Sequence, residues 1–172
     1  SGGCVRGRIF NAAGAPLGGD FIINTTVSGN QFGTAVSAFP DGRFVVVFNS
    51  TDMEPNGDPV TRMHVRLYDA NGVPVGNDFL GQSSRSPSDY RVAVLADGRF
   101  MVTYTYDPSI FLETAVIGQL FDQNGAPVSG LGIISNQALG GNQGLPSLTA
   151  LADGRVVVSW TSADTGDGSL GC

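Results

Sequence analysis

The chain has 172 residues and a formal net charge of -6 at pH 7, and it contains 25 Gly and 13 Asp but two Glu and no Lys. All nine basic residues are Arg and are scattered along the chain, which argues against nucleic acid as a partner. The scarcity of Glu and Lys, which usually fill exposed helix faces, predicts an all-β protein. No apolar run approaches the roughly 20 residues of a membrane span, so we expect no membrane insertion.

One unit of 56 residues occurs three times along the chain. The tripeptide Asp-Gly-Arg recurs at that spacing in similar surroundings, namely SAFPDGRFVVVF, AVLADGRFMVTY and TALADGRVVVSW. Its recurrence in turns marks these residues as structural: Asp41, Gly42, Arg43, Asp97, Gly98, Arg99, Asp153, Gly154 and Arg155. We expect a single domain over residues 1–172, with units at about 5–60, 61–115 and 116–172.

Each unit predicts four short strands, which in the first unit are Val5–Phe10, Phe21–Asn24, residues 35–39 and Phe44–Phe48. An Asn/Asp-x-x-Gly-x-Pro turn follows the first strand. The Asp-Gly dipeptide before the fourth strand predicts a tight hairpin of type I′. The fourth strand is apolar at nearly every position, which is typical of a strand covered on both faces.

Three four-stranded antiparallel units with sheets packed face to face predict β-propeller-like blades. The structural alternatives are a β-prism and a trefoil-like three-fold barrel.

The two landmarks of the unit also resemble sequences of a known kind. GQLFDQNGAPV at Gly118–Val128 and ADGRVVVSWTS within Ala150–Ser162 are similar to the tandem repeats of large secreted bacterial proteins. These include adhesin-like and haemolysin-type calcium-binding proteins. The resemblance implies a secreted location, outside the cell or on the bacterial surface, and repeats without catalytic residues.

Two cysteines, Cys4 and Cys172, are separated by three whole repeats. Their Gly-rich surroundings favour a disulfide and therefore an oxidising compartment, with any export signal removed before Ser1. If the three units close on themselves, the bond is internal. If they do not, Cys172 of one chain meets Cys4 of the next, which gives a ring or a filament.

Candidate chemistry is sparse. His64 is the only histidine, and no nucleophile-elbow motif accompanies it, so we expect no enzyme and no cofactor. Calcium is the strongest ligand candidate, because Asp164 and Asp167 lie in a Gly-rich loop with many oxygen ligands. The loop around Asp52, Glu54 and Asp58 is similarly acidic.

The sequence therefore favours a non-enzymatic extracellular structural or adhesive subunit that assembles head to tail into a homo-oligomer or polymer. The alternative is a small propeller-like lectin that binds carbohydrate at repeated positions. Two sets of positions would form its pockets, of which the aromatic set favours core packing instead: Arg8, Arg66 and Gln119, and Phe48, Tyr104 and Trp160.

Overall fold

A computed structural model describes residues 2–25, 29–81, 87–107, 113–128, 130, 132–134 and 141–163. Within these ranges the chain forms twelve β-strands and no helix, which confirms the all-β prediction. Accordingly, none of the described residues belongs to a helix that could span a membrane. The strands are β1 (Arg6–Gly7), β2 (Phe21–Ile22), β3 (Gln31–Ala38), β4 (Phe44–Met53), β5 (Pro59–Tyr68), β6 (Phe79–Leu80), β7 (Ser88–Val94), β8 (Phe100–Tyr106), β9 (Ala115–Phe121), β10 (Gly132–Ile133), β11 (Gln143–Ala150) and β12 (Val156–Ser162).

The strands form two four-stranded sheets and two two-stranded sheets, all antiparallel. Sheet A has the order β3-β4-β5-β6, and sheet B has the order β7-β8-β9-β10. β1 pairs with β2 in the N-terminal half-sheet, and β11 pairs with β12 in the C-terminal half-sheet. None of these sheets closes into a barrel, and no described strand joins β1 to β12.

The sheets are displaced from the sequence units by half a unit. We call the first two strands of a sheet its inner strands and the last two its outer strands. Sheet A takes its inner strands, β3 and β4, from the first unit and its outer strands, β5 and β6, from the second. Sheet B combines the second and third units in the same way. The N-terminal half-sheet therefore corresponds to the outer half of a sheet, and the C-terminal half-sheet corresponds to the inner half.

The core lies between successive sheets. One cluster joins sheets A and B and includes Val45, Val65, Phe100 and Tyr104, all fully buried. A second cluster joins the N-terminal half-sheet to sheet A through Val5, Ile23, Phe48 and others. The alternation of side chains explains this division, because neighbours on β4 point to opposite faces and both faces are covered.

The hairpins at Asp-Gly differ from the predicted type I′ turn. A type I′ turn needs positive φ at both central residues. Gly42 has a φ of 89°, whereas Asp41 is not in that region. The amide of Gly42 donates to the carbonyl of Phe39, and the amide of Phe39 donates to the carbonyl of Arg43. These bonds define a three-residue hairpin in which a type I turn is followed by a left-handed glycine.

The first strand of sheet A, of sheet B and of the C-terminal half-sheet also carries a bulge that the sequence does not reveal. The bulges interrupt pairing between Phe32 and Ala35, and at the equivalent places in β7 and β11. The left-handed residues at these bulges are Gly33, Asp89 and Leu145, with φ values of 60°, 54° and 51°. Because two of the three are not glycine, sheet pairing on both sides of the bulge imposes the conformation.

Candidate functional site

The open edges of β1 and β12 are the feature that distinguishes the two ends of this fold from its middle. In sheets A and B the corresponding edges are paired: β4 pairs with β5, and β8 pairs with β9. In the described part of the chain, β12 has a partner on one side, β11, and β1 has a partner on one side, β2. Unpaired strand edges are templates for pairing with another strand.

Side chains at equivalent repeat positions show that both ends lack a neighbour. Phe10 is 56% exposed, whereas Tyr68 and Phe121, its counterparts, are each 1% exposed. Tyr68 stacks on Phe44 at 4.8 Å between ring centroids, and Phe121 stacks on Phe100 at 5.1 Å.

The same contrast appears on β12. Trp160 is 36% exposed, whereas its counterparts Phe48 and Tyr104 are fully buried. Val157 is 47% exposed, whereas Val45 is fully buried. The apolar fourth strand is therefore covered on both faces in sheets A and B, as predicted, but not in the C-terminal half-sheet.

A groove of about 410 Å³ lies between β1 and the uncovered face of β3. Its lining includes Arg6, Arg8, Thr34, Val36 and Ala38, and Val36 is 66% exposed. In sheet A the corresponding place, beside β5 and against β7, is filled by β3 and β4. The groove therefore has the position of two missing inner strands.

Arg8 differs from its counterpart Arg66 in the same sense. Arg66 is buried, and its guanidinium donates to the carbonyl oxygen of Ile23 in the preceding half-sheet. Arg8 is exposed and donates to the carbonyl oxygen of Gly18 in its own turn, at 2.9 Å. Of the two arginines at this repeat position, Arg66 therefore contacts a preceding sheet and Arg8 contacts its own turn.

A compact polar cluster surrounds His64 on the outer part of sheet A. The Nδ1 atom of His64 lies 2.7 Å from an oxygen of Asp78, and Nε2 lies 3.0 Å from an oxygen of Asp52. Asp78 also accepts a hydrogen bond from the hydroxyl of Thr25, which follows β2. The arrangement joins the N-terminal half-sheet to sheet A. Sequence reasoning missed it because these residues are far apart along the chain and only Asp78 has an acidic counterpart, Asp20, among the described residues.

The repeated Asp-Gly-Arg turns lie on the surface and are internally paired. In the turn of sheet B, an oxygen of Asp97 accepts from Nε of Arg99 at 2.7 Å, and the other accepts from its backbone amide at 3.0 Å. The arginine hydrogen bond lowers the pKa of the Asp97 carboxyl. The same contacts and the same direction of pKa change occur at Asp41 with Arg43 and at Asp153 with Arg155. Each carboxylate thus serves its own turn, which is a structural role.

The predicted calcium ligands Asp164 and Asp167 lie outside the described residues. Among the residues that are described, no group of three or more His, Cys, Asp or Glu side chains is placed to hold a metal ion. In the other acidic loop, Glu54 contacts Arg62, and Asp58 accepts from the side-chain amide of Asn56 at 2.7 Å.

In sheets A and B, the residues proposed to form repeated sugar pockets are buried rather than exposed in a surface pocket. Phe48 and Tyr104 belong to the core, and Arg66 and Gln119 are buried. Trp160 alone of the aromatic set reaches the surface, where its indole Nε1 donates to Gln143 at 3.0 Å.

Cys4 is exposed and forms no disulfide with any described residue. Its expected partner Cys172 lies outside the described residues, so the disulfide remains a prediction. Cys4 stands two residues before β1 and therefore beside the open edge.

Comparisons with known proteins show a similarity of fold and identify no family. No protein-family model matches the chain, and no curated protein matches it. Among solved structures, it is similar to the crystal structure of an endo-arabinase from Bacteroides thetaiotaomicron, with a TM-score of 0.51 and 11% sequence identity. The match covers 79% of this chain and 52% of the arabinase chain, so this chain spans about half of that structure.

This likeness overturns the expectation that the chain is not an enzyme. That expectation depended on missing sequence motifs, whereas a solved structure with a similar fold is that of an enzyme. Catalytic groups can be assembled from separate strands without forming a local sequence motif. The absence of such motifs is therefore not sufficient to exclude an enzyme.

Proposed function

We propose that the chain is a self-assembling subunit in which the C-terminal half-sheet of one copy pairs with the N-terminal half-sheet of the next. The observation that carries this proposal is that the two half-sheets are complementary: one has the inner strands and the other has the outer strands of the same four-stranded sheet. Pairing of β12 with β1 of a second copy completes a propeller-like blade and covers both open edges.

The paired edges of sheets A and B supply the register of this contact. Phe44 stands opposite Tyr68, Val46 opposite Arg66 and Phe48 opposite His64. The equivalent pairs across the seam are Val156 with Phe10, Val158 with Arg8, and Trp160 with Arg6. The last pair brings a guanidinium beside an indole ring, a contact that contributes about 0.5–2 kcal/mol.

The groove beside β1 fits the same occupant. A second copy would place its β12 along β1 and its β11 against β3, which covers Val36 and Ala38. Phe10, Val36, Val157 and Trp160 are all partly exposed in the single chain. Burying them contributes on the order of 4 kcal/mol, in addition to the new backbone hydrogen bonds.

Arg8 provides a polar anchor for the seam. Because Arg66 reaches Ile23 of the preceding sheet, Arg8 of one copy would reach the carbonyl of Ile134, the counterpart of Ile23, in sheet B of the other. We include in the proposal a secreted, surface location and a bond between Cys4 and Cys172 of adjacent copies. The bond would lock a contact that the strands already make.

The test compares two valine substitutions by sedimentation velocity under reducing conditions. Val157→Asp places a charge on the uncovered face of β12, and we expect it to weaken association by roughly 10- to 100-fold. Val73→Asp is the matched control, since Val73 is 57% exposed in the turn after β5 and belongs neither to β1 or β12 nor to the groove lining. Equal association of the two variants, or a monomeric unsubstituted chain, would contradict the proposal.

Carbohydrate binding or cleavage is the second candidate function, and the likeness to an endo-arabinase favours it. Glycoside hydrolysis needs two carboxyl groups across the scissile bond. Asp52 and Asp78 stand on opposite sides of His64, although both are engaged by its ring nitrogens. Calorimetric titration with arabinan oligosaccharides, together with an assay for released reducing ends, tests this candidate; no heat and no product would exclude it for that substrate.

A further inference from the structure

We infer that head-to-tail pairing closes after two copies, which gives a ring of six four-stranded sheets. This inference rests on the proposed function and specifies its partner: a single second copy that supplies both seams. The sequence allowed both a ring and a filament. The number of sheets that each copy contributes favours the ring.

The number of sheets follows from the way the strands are divided. Each copy contributes sheets A and B, and it contributes one complementary pair of half-sheets to the seams. Every closed head-to-tail ring therefore has a multiple of three sheets. Propellers have about four to eight blades. One copy falls below this range and three copies exceed it, whereas two copies give six.

Continuity of the inner strands supports a ring around one axis. β3 packs beside β7, and β7 packs beside β11. Beside the second of these contacts, where β11 also packs on β8, the hydroxyl of Thr105 accepts a hydrogen bond from the amide of Leu145 at 3.2 Å. Thr161 is the counterpart of Thr105, and Gly33 is the counterpart of Leu145. Across the seam, the amide of Gly33 in one copy would donate to Thr161 of the other, so the same contact recurs.

Closure is also favoured energetically over growth. Once two copies share one seam, their remaining edges belong to the same particle, and the second contact forms at an effective concentration in the millimolar range. A closed pair leaves no β1 or β12 edge unpaired, whereas every filament leaves one of each at its ends. Two-fold rings are the commonest closed assemblies of identical chains.

The experiment measures particle mass for the reduced chain and for two copies joined by a flexible Gly/Ser linker. A ring predicts one particle of twice 17.8 kDa over a wide concentration range, and a linked pair that closes on itself without further association. Val157→Asp should shift the particle toward monomer at concentrations where the unsubstituted chain is paired, and an unshifted particle would indicate a dimer formed through another surface. Particles that grow with concentration, or linked pairs that polymerise, would overturn the ring while leaving strand pairing intact. A monomer at all concentrations would overturn both.

Discussion

Phe48, Tyr104 and Trp160 occupy one position of the repeat, and they differ in exposure because their neighbours differ. Two are fully buried and the third is 36% exposed. A large aromatic residue at this position therefore indicates a site that is suited to burial between sheets. The exposure of Trp160 identifies β12 as a strand that lacks a neighbour, and no binding motif is needed to reach that conclusion.

Residue-scale conformation can be tested at the hairpin of sheet B. Gly98 has a φ of 85°, and an added Cβ would meet only ordinary contacts with Gln123. Gly98→Ala should therefore lower the free energy of unfolding by about 1–2 kcal/mol through backbone strain alone. Gly18→Ala is the control, because Gly18 lies in open space without a positive φ. Chemical denaturation measures both, and equal stability of the two variants would contradict the left-handed turn.

The turns were predictable from sequence because their chemistry is local. Asp69 accepts hydrogen bonds from the amides of Asn71 and Val73, as the Asn/Asp-x-x-Gly-x-Pro pattern leads one to expect. The bulges were not predictable, because Leu145 does not favour a left-handed conformation and Asp89 tolerates it without requiring it. Long-range pairing of β7 and β11 imposes it.

At the scale of elements, the cluster around His64 ties the N-terminal half-sheet to sheet A. Both ring nitrogens face carboxylate oxygens, and both can donate when the ring is doubly protonated. The side chains of His64 and Asp78 are 10% and 5% exposed, so the contact is shielded from water. A second connection comes from the packing of Val5 and Ile23 on sheet A.

Removing the histidine should therefore destabilise the fold. We expect His64→Leu to lower the free energy of unfolding by roughly 3 kcal/mol, because Asp78 and Asp52 lose the donor between them. Adding Asp78→Asn to that variant should recover part of the loss, since one buried charge is then removed. Thermal and urea unfolding measure both variants. A His64→Leu protein within 0.5 kcal/mol of the original would show that the cluster contributes little.

Strands were predicted more reliably from sequence than their grouping into sheets. The 56-residue period reveals four strands per unit, but a period has no starting point, so any displacement of the unit gives the same repeat. The structure fixes that displacement, since the last two strands of one unit join the first two of the next. The half-sheets at the two ends, and hence the candidate interface, follow from it.

At the scale of the whole molecule, two features could not be predicted from sequence motifs: the open edges of β1 and β12, and the similarity of the fold to that of an enzyme. The edges are backbone features, so the side-chain motifs on which the sequence reasoning about function depended could not reveal them. The same limit explains why the expectation of no enzyme failed, since a fold can hold catalytic groups that no short motif announces. Head-to-tail assembly was predicted from the repeats and remains a proposal, whereas the strand edges through which it would occur were not predictable from sequence.

Disulfide trapping in register is the most direct test of strand pairing between copies. In a chain with Cys4→Ser and Cys172→Ser, Ile9→Cys and Val157→Cys would face each other across the seam, as Leu67 and Val45 do in sheet A. The control keeps Ile9→Cys and replaces Val157→Cys with Ser159→Cys, which stands opposite Gly7 instead. Pairing of β12 with β1 of a second copy predicts bonds between chains on oxidation for the in-register pair and few for the control. A bond within one chain, or no bond in either variant, would contradict pairing with a second copy.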